Sequence, residues 1–95
     1  MGVEELPKYA LTVYSMRTVY ILISAKDPLR YYIGSTDDLK RRLYEHNNAL
    51  IGYSKRYAPW NLKTYITFSE SEQAFAFEKY LKSGSGFAFL KKRLL

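Results

Sequence analysis

The sequence predicts an α+β domain: a small three-stranded antiparallel sheet flanked by three helices, in the order β-β-α-β-α-α. Three observations carry this. Two short apolar, β-branched and aromatic runs, TVYILIS from Thr18 and YYIG from Tyr31, flank a turn with Asp27 and Pro28. Two segments with helical spacing each follow a Ser-x-x-acid pattern, Ser35-x-x-Asp38 and Ser69-x-x-Glu72. A third strand-like run, 60–68, lies between those helices. An antiparallel sheet with helices packed on it is the closure this order favours.

The elements follow in chain order. Residues 1–16 form an N-terminal extension, expected to be partly flexible and frayed over 1–8. In it Leu11, Val13 and Tyr14 could pack on the domain, which spans 17–95. Residues 17–24 are the first strand, with Tyr20 and Leu22 on one face and Val19, Ile21 and Ile23 on the other. Apolar residues on both faces predict a strand covered on both sides, hence the central one. Residues 25–29 turn the chain, and 30–34 form the second strand, ended by Gly34, whose missing Cβ lets a ligand approach the backbone.

Ser35 and Asp38 read as a capping pair for the first helix, with Thr36 as competing cap. That helix runs to about residue 48 with Leu39, Leu43 and Leu50 at core spacing. Arg42 and His46 stand four apart on a neighbouring stripe, so both tips can reach the sheet edge. Residues 49–59 read as a polar, basic loop, and 60–68 as a strand with Tyr65, Ile66 and Phe68 as apolar residues. The next helix turns Ala74, Phe77 and Leu81 inward and sets Glu78 beside that face. The run from Ser83 to Gly86 ends it with a left-handed glycine cap, rather than forming a phosphate cradle. Phe87, Leu90 and Leu94 mark a short last helix.

Composition bounds the function. The 95 residues make one domain without room for two cores. Nearly half are hydrophobic, which excludes a disordered chain. The net charge of +6 is concentrated at Lys40-Arg41-Arg42, Lys55-Arg56 and Lys91-Lys92-Arg93, with Lys82 nearby in sequence. This predicts a polyanion-binding surface, although ribosomal and membrane-surface roles share that signature. The absence of cysteine excludes disulfides and thiolate-bound zinc and fits a reducing cytosol. One histidine excludes a multi-histidine metal site within the chain, so any catalytic metal leans on carboxylates and water, as Mg²⁺ or Mn²⁺ does. No apolar run approaches a membrane span and no secretory signal is visible, so a cytoplasmic protein without membrane contact is expected.

Thr18-Val19-Tyr20 and Tyr32-Ile33-Gly34 resemble the paired tripeptides of the GIY-YIG nucleases, with eleven residues between the two tyrosines. Arg42 follows Tyr32 by ten residues, His46 comes one helical turn later, and Phe77-Glu78-Lys79-Tyr80-Leu81-Lys82 resembles the family's glutamate-bearing helix. The first tripeptide begins with Thr18 instead of glycine, and no C-terminal asparagine of the kind some members use is found. The resemblance implies a three-stranded sheet flanked by three helices and a metal-dependent DNA endonuclease. It implies that Glu78 holds one divalent cation, Mg²⁺ or Mn²⁺, on the phosphate and leaving oxygen. Arg42 would neutralise a non-bridging oxygen, for which its planar fork is better suited than lysine. Tyr20 is the candidate general base or water positioner, although an ordinary tyrosine near pKa 10 is mostly protonated at neutral pH. Tyr32 supports the phosphate or the water, and His46 positions water or shares the base role. Lys40, Arg41, Lys55, Arg56, Lys82, Lys91, Lys92 and Arg93 are the expected nucleic-acid contacts.

Family members often take specificity from an attached DNA-binding domain, and none is expected here. Contacts should therefore be to the backbone, with weak sequence preference, strong salt dependence and a possible partner protein supplying specificity. The substrate would be double-stranded, branched or single-stranded DNA. Two alternatives remain from other classes: a non-catalytic nucleic-acid-binding module on the same fold, and a basic protein-interaction domain.

Overall fold

The computed structural model describes residues 15–95; the N-terminal extension, apart from its last two residues, lies outside the described residues. Strand β1 (Arg17–Ser24) pairs antiparallel with both β2 (Tyr31–Thr36) and β3 (Trp60–Phe68), so the sheet order is β2-β1-β3 and β1 is central, as its two apolar faces predict. Helix α1 (Leu39–Asn47) follows β2, and a short helix α2 (Gly52–Tyr57) precedes β3. Helix α3 (Ser71–Leu81) follows β3, then α4 (Gly84–Phe89), which runs on into a π-helical turn over Leu90–Leu94.

Alternation along β1 divides the interior. Val19 and Ile21 meet Ile33, Ala74, Leu81 and Leu90 under α3 and α4. Tyr20 and Leu22 meet Trp60, with Tyr32, Leu39 and Leu43 packed around them under α1. On β3, Ile21 pairs with Thr64 and Leu22 with Leu62, so Lys63 is left over as a β-bulge. The bulge lets Leu62 join the α1 side while Phe68, of the same parity, joins the α3 side.

The fold class stands as expected, and several local details are corrected. The 49–59 loop contains α2, a fourth helix, which Gly52 enters with φ of +80°, a conformation that favours glycine. Strand β2 does not end at Gly34 but pairs with β1 through Thr36 opposite Thr18. Ser35 lies in β2 opposite Val19, with its hydroxyl accepting from Arg17 at 2.9 Å, and Asp38 next to Leu39 caps α1 instead, accepting from the Arg41 backbone N–H at 3.1 Å. Helix α3 begins one residue later than its Ser69 box implies: Glu70 stands at the N-cap and makes no side-chain capping bond. Leu50 is 82 % exposed because α1 stops at Asn47. Tyr65 also faces out. The Ser83–Gly86 run makes no left-handed cap. Ser83 instead caps α4, accepting from the Gly86 N–H, and a Cβ at Gly86 would run into the Tyr80 carbonyl.

Candidate active site

Strand β1 places Tyr20 opposite Gly34 of β2, and the phenol ring lies across that glycine. A Cβ at position 34 would come within 2.5 Å of Tyr20 Oη and 2.9 Å of Tyr32 Cε1. Gly34 is therefore a slot for two tyrosine rings. The close approach expected from a ligand is made by the protein's own side chain. The rings of Tyr20 and Tyr32 stack with centroids 6.2 Å apart, and the His46 ring stands 4.4 Å from that of Tyr32.

Helix α1 supplies the groups around the phenol. His46 is the one buried residue of this helix. Its Nε2 lies 2.9 Å from Tyr20 Oη, and its Nδ1 lies 2.8 Å from Ser54 Oγ of α2. Arg42 donates from Nε to the same Tyr20 Oη at 3.3 Å and from Nη1 to Glu45 at 3.0 Å. The spacing of four within one helix is what sets both tips on one phenol oxygen. Tyr20 is 1 % exposed, and burial pushes its hydroxyl pKa up while the hydrogen bond from Arg42 opposes the rise. Burial, and then the Arg42 charge, push the His46 imidazole below its ordinary value, with Glu45 pulling the other way. Hydrogen bonds to Tyr20 and Glu45 raise the pKa of Arg42 further, so it remains a fixed cation. The arrangement joins a permanent charge, a protonated phenol and a neutral imidazole able to accept a proton.

Glu78 comes from α3, beside buried Ala74 and Leu81, and is paired with Lys82 one turn on at 3.1 Å. Its charge makes the smallest of the contributions to the raised Tyr20 pKa. No group of three His, Asp or Glu side chains that could hold a metal ion converges among the described residues. One carboxylate, with substrate phosphate and retained waters, suits Mg²⁺ or Mn²⁺.

The structure thus brings Tyr20, Tyr32, Arg42 and His46 together, while Glu78 stands on α3, the helix that packs over the Val19 and Ile21 face of β1. The expected nucleic-acid contacts are not gathered into one stripe. Lys40, Arg41, Lys55 and Arg56 are exposed on α1 and α2; Lys82, Lys91, Lys92 and Arg93 are exposed at the α3 end and the C-terminal turn. Several are engaged: Arg41 with Asp37 and Glu45, Lys82 with Glu78, and Lys91 over the Phe87 ring. Sequence reasoning missed Ser54, whose only signal was a hydroxyl eight residues after the lone histidine. It also missed Glu45, which lies one turn from Arg42 and could have been read from that spacing.

A family model described as the GIY-YIG catalytic domain matches residues 16–92. The chain is also 42 % identical over 65 residues to a protein of Talaromyces marneffei named structure-specific endonuclease subunit slx1. That match covers 62 % of this chain and 17 % of the relative, so the chain spans about a sixth of the relative's length. With four of the motif's side chains in contact on one sheet face and the family model covering nearly all of the described residues, the chain belongs to the GIY-YIG nuclease family.

Proposed function

We propose that this domain is a DNA endonuclease that depends on one divalent cation, Mg²⁺ or Mn²⁺, and selects substrates by structure more than by sequence. The observation that carries the reading is the hydrogen-bonded chain from half-buried Arg42 Nε to the Oη of buried Tyr20 and on to the Nε2 of buried His46, at 3.3 and 2.9 Å. Burial without chemistry would favour hydrocarbon at Tyr20 and His46, because each polar tip must be matched.

The raised pKa of Tyr20 keeps its proton on at neutral pH, so the phenol alone is a poor base. His46, neutral and in contact, removes that difficulty. As the attacking water gives a proton to Tyr20 Oη, the Tyr20 proton moves to His46 Nε2. The hydroxide oxygen bonds to phosphorus, the bond from phosphorus to the leaving sugar oxygen breaks, and that oxygen takes a proton from solvent. Such positioned proton transfer accelerates reactions by roughly 10²–10⁴-fold. Arg42 faces the non-bridging oxygens as a cation that cannot deprotonate. Tyr32, partly exposed beside His46, supports the phosphate or the water. Glu78 would hold the cation, which supplies charge neutralisation at the phosphate and the leaving oxygen.

The name of the slx1 relative supports structure-selective cleavage here, and the word subunit in it supports a partner protein that supplies specificity. The cysteine-free sequence supports a reducing compartment such as the cytoplasm. No helix among the described residues is long and apolar enough to cross a membrane. A screen of plasmid, single-stranded and branched DNA with Mg²⁺ or Mn²⁺, wild type beside Glu78→Ala, tests the proposal. Metal-dependent cutting of at least one DNA form, lost in the variant, is expected. Absence of cutting with retained DNA binding would instead favour a non-catalytic binding module.

A further inference from the structure

We propose that Ser54 is a positioning residue: its hydroxyl fixes the tautomer of His46 and leaves Nε2 as the nitrogen that takes the Tyr20 proton. The kinetic half of this inference rests on the endonuclease reading above; the tautomer half does not.

The argument is a count of donors. Arg42 Nε can only donate, and it donates to Tyr20 Oη. A neutral imidazole has one N–H and one bare nitrogen. If Nε2 carried the proton, Tyr20 Oη would receive two N–H groups, and its own O–H would lose its imidazole acceptor. With the proton on Nδ1 every contact is matched. Arg42 Nε–H donates to Tyr20 Oη, Tyr20 O–H donates to His46 Nε2 at 2.9 Å, and His46 Nδ1–H donates to Ser54 Oγ at 2.8 Å. The groups facing His46 are Tyr20 of β1, Tyr32 of β2, Arg42 and Glu45 of α1, and Ser54 of α2. Of these, Ser54 Oγ is the partner at Nδ1.

The placement of Ser54 is held from two directions. The Trp60 indole N–H donates to the Ser54 carbonyl at 2.9 Å. The Trp60 carbonyl in turn accepts from Asn47 Nδ2 at 3.2 Å, and Asn47 is the residue next to His46. Gly52, with its positive φ, turns the chain into α2 just before Ser54. Helix α2 is seated by Tyr57 against the Tyr20–Leu22–Trp60 cluster and by Tyr53 on the Trp60 ring at 5.7 Å, and this seating presents Ser54 to the imidazole.

Because His46 is the only histidine, imidazole ¹⁵N NMR reads its tautomer without assignment. Wild type and Ser54→Thr should hold the Nδ1–H form, and Ser54→Ala should populate the Nε2–H form. In cleavage, Ser54→Ala should lower kcat roughly tenfold, as loss of a partner that orients a histidine does, with KM unchanged. Its acid limb should move to lower pH, because the imidazolium loses its Nδ1 acceptor. Ser54→Thr should restore both. A packing role alone would lower the melting temperature and leave the acid limb in place. A wild-type ring in the Nε2–H form, or an unchanged tautomer in Ser54→Ala, overturns the proposal. So does an unchanged kcat and acid limb in Ser54→Ala. If no DNA is cut by any of the three proteins, the endonuclease reading falls, and the spectra alone decide the role of Ser54.

Discussion

The two faces of β1 are built from neighbouring residues of one strand and are filled in opposite ways. Toward α3 and α4, Val19 and Ile21 meet Ile33, Ala74, Leu81 and Leu90, an interior of hydrocarbon. Toward α1, Tyr20 and Leu22 share space with Trp60 and with a histidine that is itself buried. The first face can be explained by burial of apolar area alone. The second cannot, because each buried polar tip needs a matched partner to avoid a net cost. All buried side-chain polar atoms among the described residues have such partners. The phenol and imidazole contacts are therefore kept to one face of a single-layer sheet, with the carboxylate proposed as metal ligand, Glu78, coming from α3 on the other, and substitutions in the two interiors should fail differently.

The largest expected effect on stability is on the hydrocarbon side. Leu90→Ala should lower the unfolding free energy by about 2–5 kcal/mol, read in a denaturant titration, because Leu90 is wholly buried. Cleavage per folded molecule should stay near the wild-type rate, since Leu90 packs in the Val19 and Ile21 cluster while Tyr20 belongs to the other. Gly34→Ala crosses the boundary. Its new Cβ meets the Tyr20 and Tyr32 rings, so overpacking should cost about 1–3 kcal/mol. It should also displace Tyr20 Oη, lowering single-turnover cleavage roughly a hundredfold. A variant that folds as well as wild type and cuts as fast would refute the slot assigned to Gly34.

The smallest effect is on the pH dependence of folding. The His46 pKa is lowered in the fold, so the unfolded chain takes up a proton first as pH falls below its ordinary value near 6.5. Stability should decline as pH falls through that value, then level off once the folded ring is protonated. His46→Gln should remove this decline, and thermal melts between pH 5 and 7 would show it.

How far the sequence discloses this division follows from where pattern and packing agree. The two-faced strand is legible because alternation along 17–24 is uninterrupted, and it correctly makes β1 central. The set Tyr20, Tyr32, Arg42 and His46 is legible through the resemblance of its tripeptides and helix to the family's motifs, and periodicity adds only that Arg42 and His46, four apart, share one side of α1. Helix α2 is not legible, because it is six residues long, has no fully buried residue and offers only the Tyr53 and Tyr57 pair as an inward stripe. The cap of α1 was misplaced because pairing of β2 with β1 continues to Thr36 and outcompetes a local capping bond at Ser35. The Lys63 bulge carries no local signal; it appears only when β3 is paired. Ser54 was hidden for the same reason: its role exists only through α2.

The measurement that bears most directly on the division of labour is Glu78→Gln, assayed for DNA cleavage and for thermal unfolding side by side. The substitution keeps size and hydrogen bonding and removes the charge expected to hold a hard cation. The Lys82 pair it breaks is an i,i+4 bridge with a solvent-exposed lysine, which contributes about 0–1 kcal/mol. Cleavage should fall at least roughly a hundredfold, while the melting temperature and DNA binding stay near wild type. A Glu78→Gln protein that melts well below wild type yet still cuts DNA would contradict the account.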